Sequence, residues 1–218
     1  MKRIVLPVLA AVSLVARVGA EDFFDLVSKS TPELVQAAIT AGAAVEDRDK
    51  YGRTPLMFAA RYNTNAAVLM VLLEAGAQVN ERDKGNRTPL MFAAAGNDNP
   101  DVVAALIKVG AGAEDHDEDG MTPLMNAASG NDKADVIQLL VKAGARTDDR
   151  DGHGRTPLMF AARDNSTLEV LNALLKAGAK IDDRDRSGVT PLMFASISNS
   201  NPDVITALVS AGGRVDAK

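Results

Sequence analysis

An acidic loop in the middle of the chain is the first candidate for chemistry. The run Asp115-His116-Asp117-Glu118-Asp119-Gly120 contains the Asp-x-Asp-x-Asp-Gly opening of a calcium-binding loop. The twelfth position of such a loop supplies a bidentate acid, but residue 126 is Asn. An Asp also recurs every 34 residues in register with Asp117, which is typical of a side chain that stabilises a turn by accepting backbone N–H bonds. The pattern favours this turn role and leaves a calcium-responsive binding protein as the alternative.

Other reactive side chains are few. The chain has no Cys, and its two His residues, His116 and His153, lie in loops at different positions of a repeated pattern, so we expect no joint metal site. No nucleophile elbow, phosphate loop or helix-borne metal motif is present in the sequence. We therefore predict a protein that is not an enzyme and that carries no cofactor and no metal.

The elements that position these residues repeat with a fixed period. The sequence Thr-Pro-Leu-Met starts at intervals of 34 residues, at Thr54, Thr88, Thr122, Thr156 and Thr190. A glycine column has the same spacing and one more member, which reveals a sixth, partial unit at the amino end: Gly42, Gly76, Gly110, Gly144, Gly178 and Gly212. Such a period is the signature of a solenoid in which stacked units share one core.

Each unit is predicted to contain two short helices. The first begins at Thr-Pro, with Thr as the N-cap and Pro in the first turn, and ends at a recurring Asn, such as Asn63, in a left-handed C-cap. The second carries an apolar stripe, as in 102–107, and is closed by the glycine column. An Asp- and Arg-rich hairpin-like connection follows, in which acidic and basic columns are expected to form exposed ion pairs between neighbouring units. The Met and Phe columns of the first helix, starting at Met57 and Phe58, are predicted to pack in the core, with a hydrophobic ligand groove as the alternative.

These features together resemble the ankyrin repeat. The matching residues are Asp-x-x-Gly-x-Thr-Pro-Leu, an Ala-Ala pair, a second helix ending in Leu-Leu, and Gly-Ala. The resemblance implies an all-α ankyrin-repeat solenoid of about six helix-turn-helix-hairpin units over 21–218, divided as 21–47, 48–81, 82–115, 116–149, 150–183 and 184–218. Met replaces the family's usual His after Thr-Pro-Leu, so apolar contact is expected in place of a polar bond between repeats. This and the 34-residue period suggest a bacterial version.

The amino end has the three-part form of a secretory signal peptide. Lys2 and Arg3 precede an apolar run over 4–16, and Val18 and Ala20 occupy the positions that a peptidase reads. The run is shorter than the roughly 20 residues that span a bilayer, so no stable membrane anchor is expected. We predict removal of residues 1–20 and a periplasmic or secreted protein, with a buried first helix as the alternative interpretation.

Partner binding is the function that the repeats imply. The net charge of −5 disfavours nucleic acid, and the resemblance implies a protein partner bound by a monomer at hairpin tips and the concave first-helix face. The irregular positions there are the predicted partner-binding residues: Tyr51, Arg53, Arg61, Tyr62, Arg87, Met121, His153, Arg155, Arg163 and Asp164. Tyr and Arg often anchor interfaces, so the first complete repeat is the predicted hot spot, with ordinary exposed residues as the alternative. Asn126, which interrupts the Phe column, is interpreted as a tolerated surface substitution, with a partner-facing polar position as the alternative.

Overall fold

The computed structural model describes residues 20–214, which form twelve helices in six consecutive pairs. The predicted leader lies outside the described residues apart from Ala20, where the first helix begins. The helices are α1 Ala20–Lys29, α2 Pro32–Thr40, α3 Pro55–Tyr62, α4 Ala66–Glu74, α5 Pro89–Ala94, α6 Pro100–Lys108, α7 Pro123–Gly130, α8 Ala134–Lys142, α9 Pro157–Asp164, α10 Leu168–Lys176, α11 Pro191–Ser198 and α12 Pro202–Ser210. The predicted all-α solenoid is confirmed.

Every Thr-Pro pair opens a helix, as the sequence predicts. Thr88, Thr122 and Thr190 accept a hydrogen bond from the N–H group three residues later, at 3.2–3.4 Å. Thr54 and Thr156 are also N-caps, but their buried hydroxyl groups lie outside hydrogen-bond range of a partner among the described residues. At these two helix starts the backbone N–H of the Thr donates to the sulfur of the Met three residues later, at 3.4 Å.

The glycine column ends every second helix. Its six glycines have φ between 94° and 105°, a conformation that a side chain would strain. In each pair the glycine N–H donates to a carbonyl of the preceding helix, as Gly76 does to Leu73 at 3.0 Å. The predicted helix ends are confirmed.

The helix pairs stack in register. First helices pack on first helices, in the order α1, α3, α5, α7, α9 and α11, and second helices pack on one another in the same way. The shared core contains Leu56, Leu90, Leu124 and Leu158 from the Thr-Pro-Leu motif, each at most 1% exposed. Because one pair of short helices leaves its apolar face open, this stacking provides the hydrophobic burial that holds the fold together.

The recurring Asn residues bind across repeats. Asn63 and Asn131 have φ of −90° and −112° with extended ψ, so the predicted left-handed C-cap is wrong. The side-chain Nδ2 of Asn131 instead donates to the carbonyl oxygens of Ala94 and Asn97 in the preceding repeat, at 3.1 and 3.2 Å, while its Oδ1 accepts from Lys133 N–H. These buried amides supply the polar bonds between repeats that the Met column does not.

The turns between repeats are built on the Asp column. In the best-buried example, Asp151 Oδ1 accepts from the N–H groups of His153 and Arg155 at 2.9 and 2.7 Å. The other members that make the same pair of bonds are Asp49, Asp83, Asp117 and Asp185. The turn role predicted for this column is confirmed.

Arginine clamps join neighbouring turns. Arg82 pairs with Asp115 of the next repeat, and its Nη1 donates to the carbonyl oxygens of Asn86 and His116 at 2.9 Å. Arg48 pairs with Glu81, and Arg150 with Asp183, in the same arrangement. The predicted ion pairs between repeats are confirmed at these three positions. Within residues 20–214 no helix is long and apolar enough to cross a membrane.

Candidate partner-binding face

A cavity of about 300 Å³ opens on the face formed by α3, α5 and α7. We call this the first-helix cavity and define it by its lining residues: Arg53, Met57, Phe58, Arg61, Tyr62, Arg87, Met91, Phe92, Ala95 and Asn126. The two Met side chains are buried at its base, each 1% exposed, whereas Phe58 and Phe92 are only half-buried. The cavity thus offers aromatic and cationic side chains on an apolar floor.

Arginine and phenylalanine stack in a repeating pair along this face. The guanidinium of Arg53 lies 4.5 Å from the ring centre of Phe58, and that of Arg87 lies 4.9 Å from the ring centre of Phe92. A third such pair, Arg155 and Phe160, is 4.7 Å apart and completes the series two repeats further on. Contacts of this kind stabilise by about 0.5–1 kcal/mol at exposed sites.

The turn carboxylates hold these arginines in place. Asp49, Asp83 and Asp151 pair with the arginine four residues later at 2.6–2.7 Å. Burial alone would raise the pKa of Asp151, but the side-chain and backbone hydrogen bonds from Arg155 lower it below its ordinary value. The pKa of Asp49 is lowered in the same way by Arg53, against the effect of burial.

A second cavity of about 450 Å³ adjoins the first and shares Arg87 and Asn126 with it. Its other lining residues come from the turns: Tyr51, Lys84, Gly85, Asp117, Glu118, Asp119 and Met121. Asn126 lines both cavities, and its Nδ2 donates to the carbonyl oxygen of Thr122, the N-cap of its own helix, at 2.9 Å. The choice between a tolerated surface substitution and a partner-facing polar position at Asn126 stays a prediction.

The structure brings six of the ten predicted partner-binding residues together at these cavities. They are Tyr51, Arg53, Arg61, Tyr62, Arg87 and Met121. The remaining four lie beyond, in the repeat that contains α9: His153, Arg155, Arg163 and Asp164. There Arg163 pairs with Asp164 at 2.8 Å and lies 5.2 Å from the ring centre of Phe160.

Phe58 and Phe92 were not among the predicted site residues. The prediction that the Phe column packs in the core is confirmed for Phe160, which is 3% exposed, and in part for Phe58, which is half-buried and packs against the core. Phe92 is half-buried and lines the cavity. The sequence contains a signal for the pairing of Arg with Phe. An Arg stands five residues before a Phe in three repeats, and in the repeat between the second and third of these Met121 replaces the Arg and Asn126 replaces the Phe.

The acidic loop does not assemble a metal site. Within residues 20–214 no group of three or more His, Asp or Glu side chains is arranged to hold a metal ion. Asp117, the central residue of the loop, uses its Oδ1 to accept from Asp119 N–H and Met121 N–H at 3.0 and 2.8 Å.

Comparison with known proteins agrees with this architecture. The family model described as Ankyrin repeats (3 copies) matches residues 24–114, 91–185 and 124–218. Its matches cover most of the chain, and the chain belongs to the ankyrin-repeat family. A search of curated proteins found no match. Ankyrin repeats generally mediate protein–protein interaction and are generally non-catalytic.

Proposed function

We propose that this chain is a non-catalytic binding protein that holds or inhibits a partner protein at its first-helix face. The observation that carries the proposal is the first-helix cavity, whose walls present Tyr62, Arg61 and Phe58 above a buried Met floor. Protein interfaces draw most of their binding energy from a few such aromatic and Arg side chains that enter a desolvated pocket.

The exposure of the two tyrosines supports a macromolecular partner. Tyr62 is 58% exposed and Tyr51 is 50% exposed, and they border the two adjoining cavities. A partner that covered both would bury two large rings at low conformational cost, since each ring has only two side-chain torsions to fix. The length of the face, across three consecutive first helices, suits an extended segment or loop of another protein.

A photocrosslinking experiment tests the proposal. A benzophenone amino acid is placed at Tyr62, the full chain is expressed in its native organism, and adducts are identified by mass spectrometry after illumination. The matched control carries the same amino acid at Glu74, an exposed residue at the end of α4 on the second-helix side. We expect a defined protein adduct at position 62 only. The absence of adducts at position 62, or the same adducts at both positions, would contradict the proposal.

We also propose that the protein is exported and acts in a periplasmic or extracellular compartment. The support is the pattern of Lys2, Arg3 and the apolar run 4–16 ahead of Ala20, together with the absence of Cys, which leaves no thiol to oxidise outside the cytosol. The intact mass of the protein from the envelope or medium should correspond to a chain that starts at Glu21. An Ala20→Asp variant should retain its leader, and full-length wild-type protein confined to the cytosol would refute export.

A further inference from the structure

We propose that the first-helix cavity recognises an acidic segment of the partner, in which a carboxylate adjoins an aromatic or apolar side chain, and that Arg61 is the residue that contacts the carboxylate. This inference rests on the proposed function and adds the chemistry of the bound segment. It follows from the way in which the arginines of this face are paired.

Arg61 is the cation that the fold leaves unpaired in the cavity. Among the described residues it has neither a hydrogen bond nor an ion pair, although it is half-buried at the end of α3. Arg163 occupies the equivalent position three repeats later and is neutralised by Asp164 at 2.8 Å. Tyr62 follows Arg61 at the position where Asp164 follows Arg163. The first of these repeats therefore has an aromatic ring where the later repeat has the acid that neutralises its arginine.

The other two arginines of the cavity are already satisfied. Arg53 and Arg87 pair with Asp49 and Asp83, and their guanidinium groups cover the rings of Phe58 and Phe92. No Asp or Glu is among the described residues that line the first-helix cavity. The cavity therefore carries the excess positive charge of one guanidinium, although the chain as a whole has a net charge of −5. A bound carboxylate would supply the missing partner through charge-assisted hydrogen bonds.

A small residue in the next repeat makes room for this guanidinium. A β-carbon placed on Gly96 would lie 2.9 Å from Arg61 Nη1, so the side chain rests against the bare backbone of Gly96. The rings of Phe58 and Tyr62 lie 6.3 Å apart beside it. A ligand that carries an aromatic group next to its carboxylate could thus contact Arg61 and these rings together.

The adjoining cavity restricts where the anion binds. Three acids, Asp117, Glu118 and Asp119, line that second cavity against two cations, Lys84 and Arg87, and this acidic excess would disfavour a carboxylate there. An acidic segment is therefore expected to bind in the first-helix cavity, on the Arg61 side of Arg87 and Asn126, the two residues that both cavities share.

A pair of small probes that differ only in charge tests the inference on the full chain. N-acetylphenylalanine and its uncharged amide are titrated against the protein labelled with ¹⁵N at arginine, and the Nε–Hε signals are followed by NMR. We expect the acid to shift the Arg61 signal and to bind about tenfold more tightly than the amide, as one charge-assisted contact provides. Inorganic phosphate is the third probe and should bind more weakly than the aromatic acid, because it cannot use the rings.

Three variants locate the effect. Arg61→Gln should abolish the preference for the acid, and Gly96→Ala, which keeps the charge but displaces the guanidinium, should reduce it. Arg163→Gln is the matched control and should leave the preference unchanged. Equal binding of acid and amide, an acid preference that survives in Arg61→Gln, or phosphate binding as tight as that of the aromatic acid would overturn the inference. This outcome is distinct from a failure of the crosslinking experiment, which would remove the protein partner but leave the carboxylate preference standing.

Discussion

The side-chain Nδ2 of Asn97 donates to the backbone carbonyl oxygen of Asn63, one repeat earlier, at 3.0 Å. The same bond joins Asn131 to Asn97, Asn165 to Asn131 and Asn199 to Asn165, at 2.9–3.2 Å. The Asn column is thus a chain of amides, buried except at the half-buried Asn199, that passes through every interface from α3 to α11. It fixes the register of the repeats in a way that apolar contacts alone do not.

Removal of a central amide should therefore weaken the stack. We expect Asn131→Ala to lower the free energy of unfolding by about 1–3 kcal/mol, because it leaves buried carbonyl oxygens without donors. The measurement is equilibrium urea unfolding followed by circular dichroism. Asn126→Ala is the control, since this amide bonds only to Thr122 of its own helix. Equal losses in the two variants would show that the bonds between repeats add nothing specific.

The turn carboxylates should make stability depend on pH. We expect Asp151→Asn to lower stability at pH 7 by about 1–3 kcal/mol, because it removes the ion pair with Arg155 but keeps one oxygen for the turn N–H groups. The pKa of Asp151 is lowered in the folded state, so its contribution is complete above the unfolded value of about 4 and is lost as the pH falls through the folded pKa.

Chemical unfolding at several pH values measures this effect. The difference between wild type and Asp151→Asn should shrink as the solution is acidified. Asp185→Asn is the matched control, because Val189 stands where the Asp151 turn has Arg155, and among the described residues Asp185 has no ion pair to lose. A pH-independent difference, or an equal loss at Asp185, would argue against the arginine pairing as its source.

Two glycines of one column should respond differently to the same substitution. A β-carbon at Gly130 would lie 2.6 Å from the backbone oxygen of Ala95, whereas at Gly96 it would meet only the end of the Arg61 side chain. We expect Gly130→Ala to cost about 1–3 kcal/mol and Gly96→Ala to cost much less, because a flexible side chain moves and a packed backbone resists. Thermal unfolding of both variants decides this, and a reversed order would contradict the described packing.

Filling the wall between the two cavities should block binding without harming the fold. Asn126→Phe introduces the residue type that the neighbouring repeats have at this position, as Phe92 and Phe160. We expect the new ring to occupy space that the partner uses. Crosslinking from position 62 should fall severalfold while the thermal midpoint stays close to that of wild type. Asn126→Ala leaves the space open and serves as the control. Undiminished crosslinking in Asn126→Phe would place the partner elsewhere.

The sequence predicts the elements of this fold well because each has a local cause. Thr-Pro predicts the start of α3, and Gly76 predicts the end of α4, from conformational preferences that a single unit contains. The role of Asn63 could not be derived in this way, because its amide binds Val27 and Ser30 of the preceding repeat. A periodic column indicates that a residue type has a structural role, but it does not show whether the side chain bonds within its own repeat or to the neighbouring repeat.

The candidate site was predictable only in part. Tyr62 has no identical counterpart in the other repeats, and Arg61 shares its position with Arg163 alone, so this irregularity marks both residues in the sequence. The half-buried ring of Phe58 belongs to a regular column, so its position alone does not distinguish it from the buried ring of Phe160. That Arg61 has no ion pair could be established only from the positions of the acidic side chains in the folded chain.

The uniform 34-residue step of the Asn bonds also bears on how such a gene can change length. Each donor finds its acceptor one unit earlier, so duplication or loss of a whole unit by unequal recombination would join an old donor to an equivalent carbonyl. An insertion of another length would alter the spacing of the one donor and acceptor on either side of it and leave the later pairs unchanged. The amide bonds thus favour changes of length by whole units, and they place no constraint on the residues around Arg61.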